Sequence, residues 1–294
     1  MLKVNHNSTA IACASGGFKA VFVHGVLSAF ESVNFRVDAY SAASASVVIA
    51  ALANINRVRK AGIDYWLKGI EMYDRTKSMS RVSIAGIDYL NANGGEELFR
   101  SQKSHFYIAT SKVITKQAAQ QTQNKPARRL GKKLLLAAAK KERSWVDEHL
   151  KLDLFSTVSQ DKLNLNPNNF SEVAYASTRM LHNYEVPAWI GQQPYVDASY
   201  TCSCPALEMV DRGYQTVVAI ATETGKFHRD LFQSEVIPSQ YKQVPIRVIQ
   251  PDVDLKELGV NIFQATSTGL DAAYRHGFNK GKNFLALSNN NNKL

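Results

Sequence analysis

The chain is expected to fold as an α/β protein, a three-layer α/β/α arrangement with a mainly parallel central sheet. Three observations carry this reading. Short apolar, strand-like runs alternate with helical patterns along the sequence, as in a sheet covered on both faces. Residues 9–14 and 36–41 each lead into a tight turn and then an apolar helix. The 294 residues, 45% of them hydrophobic and 20% charged, suffice for one large core.

Strand one is Ala10-Ile11-Ala12-Cys13-Ala14, followed by the turn Ser15-Gly16-Gly17-Phe18-Lys19-Ala20. A helical pattern then spaces Val21, Val23, His24, Val26, Leu27 and Phe30. A glycine-rich turn at a helix N-terminus presents backbone N–H groups and makes an anion site. The second strand, residues 36–41, ends at Ala42-Ala43-Ser44-Ala45-Ser46, and a buried helix follows over residues 45–54. A strand–turn–helix corner of this kind pushes one serine hydroxyl into a cleft. The G-x-S-x-G elbow has glycines two before and two after its serine, where this chain has Ala42 and Ser46.

Further on, residues 63–75 and 94–100 read as surface helices and residues 105–109 as a strand. Residues 116–124 are polar and Gln-rich, a loop or a solvent-facing helix. The stretch over about 112–155 is a basic helical excursion placed to cap the site, since ligands bind at the carboxyl ends of sheet strands. Tyr195-Val196-Asp197-Ala198-Ser199 puts a carboxylate at the end of a strand. Residues 1–288 form one domain in this reading, and the Asn-rich residues 289–294 are a disordered tail.

Each singled-out residue has a plainer role. Ser44 fits a helix N-cap, Asp197 an Asx-turn, and Lys19 an exposed lysine. Their joint order favours a catalytic arrangement. Read together, S-G-G-F-K-A, A-A-S-A-S and D-A-S resemble the motifs G-G-G-x-[RK]-G, G-x-S-x-G and D-G-[GA] of the patatin-like phospholipase family. The likeness extends to Ala174-Tyr175-Ala176-Ser177, to the turn at Pro187, to residues 205–213 and 216–220, and to residues 248–251 and the closing helix around 269–278. It leaves residues 57–165 without a motif. Five motif glycines are replaced, at Ser15, Ala20, Ala42, Ser46 and Ala198.

The resemblance implies a patatin-like fold and a serine lipid acyl hydrolase of the phospholipase A type. Ser44 would be the nucleophile and Asp197 its base, a dyad without histidine. Backbone N–H groups of Ser15, Gly16, Gly17, Phe18 and Lys19 would form the oxyanion hole, with Lys19 at the family's basic position. The substrate would be a phospholipid or other acyl ester, and no cofactor or metal is implied. One rival is a Ser–Asp–His triad using His228 or His276, both of which follow Asp197. Another is a catalytically impaired domain that serves as a membrane-associated interaction module.

Charge and cysteine content narrow the partners. The net charge of +10 is concentrated in residues 125–143, with eight basic side chains against Glu142 alone. As a helix this run sets Arg129, Lys133 and Lys140 apart from Leu130, Leu134 and Ala137. Such a helix either lies on an anionic membrane surface or is a solvated face. Nucleic acid is disfavoured, because no aromatic residues interleave the basic ones. Cys202-x-Cys204 lacks the further ligands of a zinc site, and with Cys13 it reads as buried thiols in a reducing compartment. Residues 1–9 carry no apolar leader and no apolar run reaches membrane length, so a cytoplasmic placement, with or without peripheral membrane contact, is expected.

Overall fold

The computed structural model describes residues 8–100 and 104–291. Nine strands share one sheet: β1 (Thr9–Cys13), β2 (Ala39–Ala42), β3 (His105–Val113), β4 (Leu150–Ser156), β5 (Ala188–Ile190), β6 (Gln193–Val196), β7 (Thr216–Ile220), β8 (Gln240–Tyr241) and β9 (Val244–Ile249). Strands β3, β2, β1, β7 and β9 lie side by side and parallel. Strands β4, β5, β6 and β8 join antiparallel. The sheet is therefore parallel through its middle and mixed as a whole.

The helices before β3 are α1 (Val21–Ser32), α2 (Ser46–Asn54), α3 (Val58–Ala61), α4 (Asp64–Thr76), α5 (Met79–Ala92) and α6 (Glu97–Arg100). After it come α7 (Lys116–Gln123), α8 (Ala127–Ala139), α9 (Ser144–His149), α10 (Phe170–Thr178), α11 (Ala206–Asp211) and α12 (Ser267–Asn291). The three layers follow from side-chain alternation along the strands, which sends neighbouring residues to opposite faces. Ile11, Cys13, Tyr40, Ala42, Phe106 and Ile108 pack with α1, α2, α10 and α12. Ala10, Ala12, Ala39, Tyr107 and Ala109 turn the other way, towards α11. This is the α/β/α class expected from the sequence.

Some boundaries differ from expectation. The second strand begins at Ala39, and β3 runs on to Val113. The Gln-rich stretch is helical, with Thr115 accepting the Ala118 N–H as its cap. Residues 289–291 of the expected tail continue the backbone of α12, whereas 292–294 and the polar 1–7 lie outside the described residues.

The length of β3 positions the site. Tyr107 and Ile108 pair with both β2 and β4, while Ser111 and Lys112 pair with both β4 and β6. Strand β4 thus fills one edge of β3, and β2 and β6 share the other edge end to end. Because β2 runs parallel to β3 and β6 antiparallel, their C-terminal ends converge from opposite directions. Ser44 follows one end and Asp197 the other, so residues far apart in sequence meet beside Ala109 and Thr110.

Candidate active site

Ser44 sits at the corner between β2 and α2 with φ 54°, a left-handed backbone that costs a non-glycine residue about 1–2 kcal/mol. The surroundings hold it there. Its N–H donates to Ser177 Oγ (2.9 Å), and that hydroxyl donates to the Ala109 carbonyl on β3 (2.7 Å). Ser46, one of the two elbow positions without glycine, is fully buried and donates through Oγ to the Ala14 carbonyl (2.6 Å). Its hydroxyl ties the elbow to the glycine-rich turn.

Ser44 Oγ donates to Asp197 Oδ2 at 2.8 Å. The other carboxylate oxygen, Oδ1, accepts from the Ser199 N–H (2.8 Å) and the Ser199 hydroxyl (2.5 Å). The Asx-type cap and the contact to Ser44 thus coexist on one side chain. Asp197 is 1% exposed, and burial pushes its carboxyl up to about 6, opposed by the hydrogen bonds from Ser199 and Ser44. Its N–H donates to the carbonyl of Arg179 (2.9 Å), and the Arg179 guanidinium donates to the carbonyls of Thr122 and Val186 (2.7 Å each). That buried arginine secures the loop against which Asp197 is placed.

The glycine-rich turn is narrower as a donor site than the sequence suggests. The Ser15 N–H donates to Ser203 O, that of Phe18 to Ile262 O, and that of Lys19 to Gly16 O. Those three expected hole donors are already occupied. Among the described residues, the N–H groups of Gly16 and Gly17 have no partner, and neither has that of Ala45, directly after Ser44. Ala45 was not singled out in the sequence, although the residue after an elbow serine is a known source of such a donor. Gly17 has φ 55°, and a Cβ there would stand 2.0 Å from the Ile262 carbonyl oxygen, so a side chain is excluded.

Lys19 is neither exposed nor aimed at Ser44. It is 1% exposed, and its ammonium donates to Glu223 (2.8 and 2.9 Å) and to Asp254 Oδ1 (3.1 Å). A buried cation needs paired acceptors, and these lie more than 200 residues away in sequence.

Ser44, Asp197, Gly16 and Gly17 line a cavity of about 450 Å³. Its other walls come from Ala14 and Ser15, from Thr178, Met180 and Tyr184, from residues within 199–233 and from Ile262 and Phe263; no described residue of 112–155 lines it. The excursion packs instead around Val113, Ala118, Leu134 and Val146, against Val196 and Tyr200. His228 lines the cavity, but serine and carboxylate bond each other directly with no imidazole between them. His276 is held elsewhere, accepting the Asp252 N–H (3.1 Å) and stacking near Phe22. Cys13, Cys202 and Cys204 are fully buried with their thiols raised by burial. Among the described residues, no three His, Cys, Asp or Glu side chains form a metal-binding group.

No model of a known protein family matches the sequence, and no curated protein matches it. Among solved structures the chain is similar to VipD from Legionella pneumophila, at 10% identity and a TM-score of 0.45. That alignment covers 96% of this chain and 67% of the other. The chemistry of the site therefore rests on its own residues.

Proposed function

We propose that the protein is a serine acyl hydrolase that cleaves acyl esters of lipids through a Ser44–Asp197 dyad. One observation carries the reading: a serine held at positive φ on a strand–helix corner gives its hydroxyl to a buried carboxylate 2.8 Å away. Strain and burial of that kind mark reactive sites more than packing sites.

In this reading Asp197 Oδ2 takes the Ser44 proton as Oγ attacks the ester carbonyl carbon. The C=O electrons move to oxygen, and the free N–H groups of Gly16, Gly17 and Ala45 offer donors for the oxyanion. One such donor is typically worth about a hundred- to thousandfold in rate. Collapse expels the alcohol, which takes the proton from Asp197, and leaves an acyl-serine. Water then attacks the acyl carbon, its proton passing to Asp197, and collapse releases the acid and expels Ser44 Oγ, which takes that proton back from Asp197. Ser199 keeps Oδ1 occupied throughout, so Oδ2 faces the reacting atoms.

Helix α8 supports delivery of the enzyme to an anionic membrane. Ala127, Gly131, Leu134 and Ala138 are its buried face, while Arg128, Arg129, Lys132 and Lys133 are exposed beside Leu136, which is 68% exposed. Among the described residues no helix is long and apolar enough to cross a membrane. Wild type and Ser44→Ala offered the same phospholipid and fluorogenic acyl esters test the reading. Release of acid by wild type alone is expected, with an organophosphonate labelling Ser44. Equal turnover by Ser44→Ala would overturn it in favour of another nucleophile, and no turnover by either would favour an interaction module.

A further inference from the structure

A second cavity, about 520 Å³, opens beside the first. The two share Gly17, Thr178 and Tyr184, and the second also touches Ala45. Its walls are of another kind. Trp66, Met72, Met79, Val82 and Ile87 line it between α4 and α5, and the exposed Lys68, Glu71 and Arg75 stand at its outer rim. Its size falls within the range of about 300–1,000 Å³ usual for small-molecule sites. An apolar cavity that begins beside Ala45, the residue after the elbow serine, and is rimmed by exposed side chains suits a flexible hydrocarbon chain.

Two glycines sit within those helix walls. Gly69 lies in the interior of α4 and Gly86 in the interior of α5, where glycine is disfavoured relative to alanine. Neither has a left-handed backbone that would demand glycine. Both save space. A Cβ at Gly86 would stand 2.6 Å from Tyr65 Oη, and one at Gly69 would stand 3.3 Å from Phe18 Cε1 and 3.7 Å from Val82 Cγ1. Phe18, Tyr65 and Val82 all line the cavity. Any larger side chain at these positions must displace a wall residue or enter the cavity.

We infer that the cavity between α4 and α5 seats the acyl chain of the ester opened at Ser44, and that Gly69 and Gly86 set the room available to it. The inference rests on the Ser44–Asp197 reading, and it adds the substrate's form: a long, unbranched acyl chain held between these helices. Each chain methylene buried adds about fourfold to affinity, so a filled cavity discriminates strongly by length.

The test compares p-nitrophenyl butyrate with p-nitrophenyl palmitate for wild type, Gly69→Leu and Val82→Phe. A fluorescent polyene fatty acid is titrated into the same proteins carrying Ser44→Ala. Wild type should favour the palmitate ester, and both variants should lower the palmitate-to-butyrate ratio of kcat/KM at least tenfold and weaken fatty-acid binding in parallel. Two separate variants, each checked for a native circular dichroism spectrum, guard against a folding defect at one position. An unchanged ratio with unchanged fatty-acid binding in both would overturn the inference. Hydrolysis of short esters without fatty-acid binding would also overturn it and leave the hydrolase reading standing. Fatty-acid binding that the variants weaken, in a protein that cleaves no ester, would uphold the cavity assignment while the hydrolase reading fails.

Discussion

Ser46 Oγ donates to the carbonyl of Ala14 at 2.6 Å, joining the helix after Ser44 to the end of the strand that feeds the glycine-rich turn. The serine stands where the elbow motif has glycine. Its hydroxyl fills the space with a bond instead of crowding the strand–helix contact. Ser46→Gly should therefore lower stability by about 1–2 kcal/mol, from the lost hydrogen bond and the added helix flexibility. Thermal unfolding will show this as a lower Tm, and ester turnover should fall or stay level. A gain in turnover would mean that the motif glycine was the better residue here.

The backbone of Ser44 offers a test separate from its hydroxyl. At φ 54° alanine keeps the strain and glycine relieves it. Ser44→Gly should unfold at higher urea than Ser44→Ala, by about 1 kcal/mol, although both lose the hydroxyl. Equal midpoints would show that the corner is not strained.

Asp197 must be ionised to accept the serine proton, and its carboxyl lies near 6. The rate constant kcat/KM should rise with pH, pass half its maximum near pH 6 and level off above. Asp197→Asn should lower turnover by about a hundred- to ten-thousandfold and remove that inflection. An acid limb that survives in Asp197→Asn would assign the titration to another group.

The same group sets a pH dependence of stability. Its folded pKa is raised above the ordinary 3.8, so protonation favours the folded state. The contribution is complete below about pH 4 and is lost as pH rises through about 6. At about 1.4 kcal/mol per pKa unit the loss is about 3 kcal/mol. Asp197→Asn, which stays neutral, should match wild type near pH 4 and exceed it by up to that amount at pH 8. Denaturant midpoints at the two pH values measure the difference.

Gly17→Ala should fail on two counts, the close Ile262 carbonyl and the left-handed backbone. Turnover is expected to fall about a hundredfold or more through the displaced donor, with a loss of stability above 1 kcal/mol. Lys19→Met, which breaks the pairs with Glu223 and Asp254, should unfold more readily yet retain a larger share of turnover. The reverse order would return Lys19 to the oxyanion hole.

For α8, binding to anionic vesicles should weaken steeply as salt rises, since the attraction is screened within about 8 Å at physiological ionic strength. Replacing Arg128, Arg129, Lys132 and Lys133 with glutamine should reduce vesicle sedimentation and spare hydrolysis of a soluble short ester. Equal sedimentation would leave α8 as a solvated face.

What the sequence disclosed is local chemistry. The elbow at Ser44, the turn at Gly16 and Gly17 and the strand ending before Asp197 are each written in consecutive residues, and so is the alternation that builds the parallel middle of the sheet. Helix α5 has no such signal, because two of its buried positions are Ser80 and Gly86, which do not read as an apolar stripe. The direction of Lys19 was illegible for a different reason: its acceptors are set by tertiary folding. The same holds for Ser177 and Arg179, whose bonds to Ala109, Thr122 and Val186 give no periodic pattern.

Strand β3 acts as a ruler for the dyad. The gap between the ends of β2 and β6 spans the few residues of β3 from Ile108 to Ser111, at about 3.3 Å per residue. The distance between serine and carboxylate is thus fixed by ladder register and not by the chain that joins them. The stretch from Ile114 to His149 leaves this edge and returns through β4 on the opposite one. Within it Thr122 and Gln123 stay tied to Arg179 and Tyr195, but the exposed charges of α8 are free to vary without changing the reach from Ser44 to Asp197.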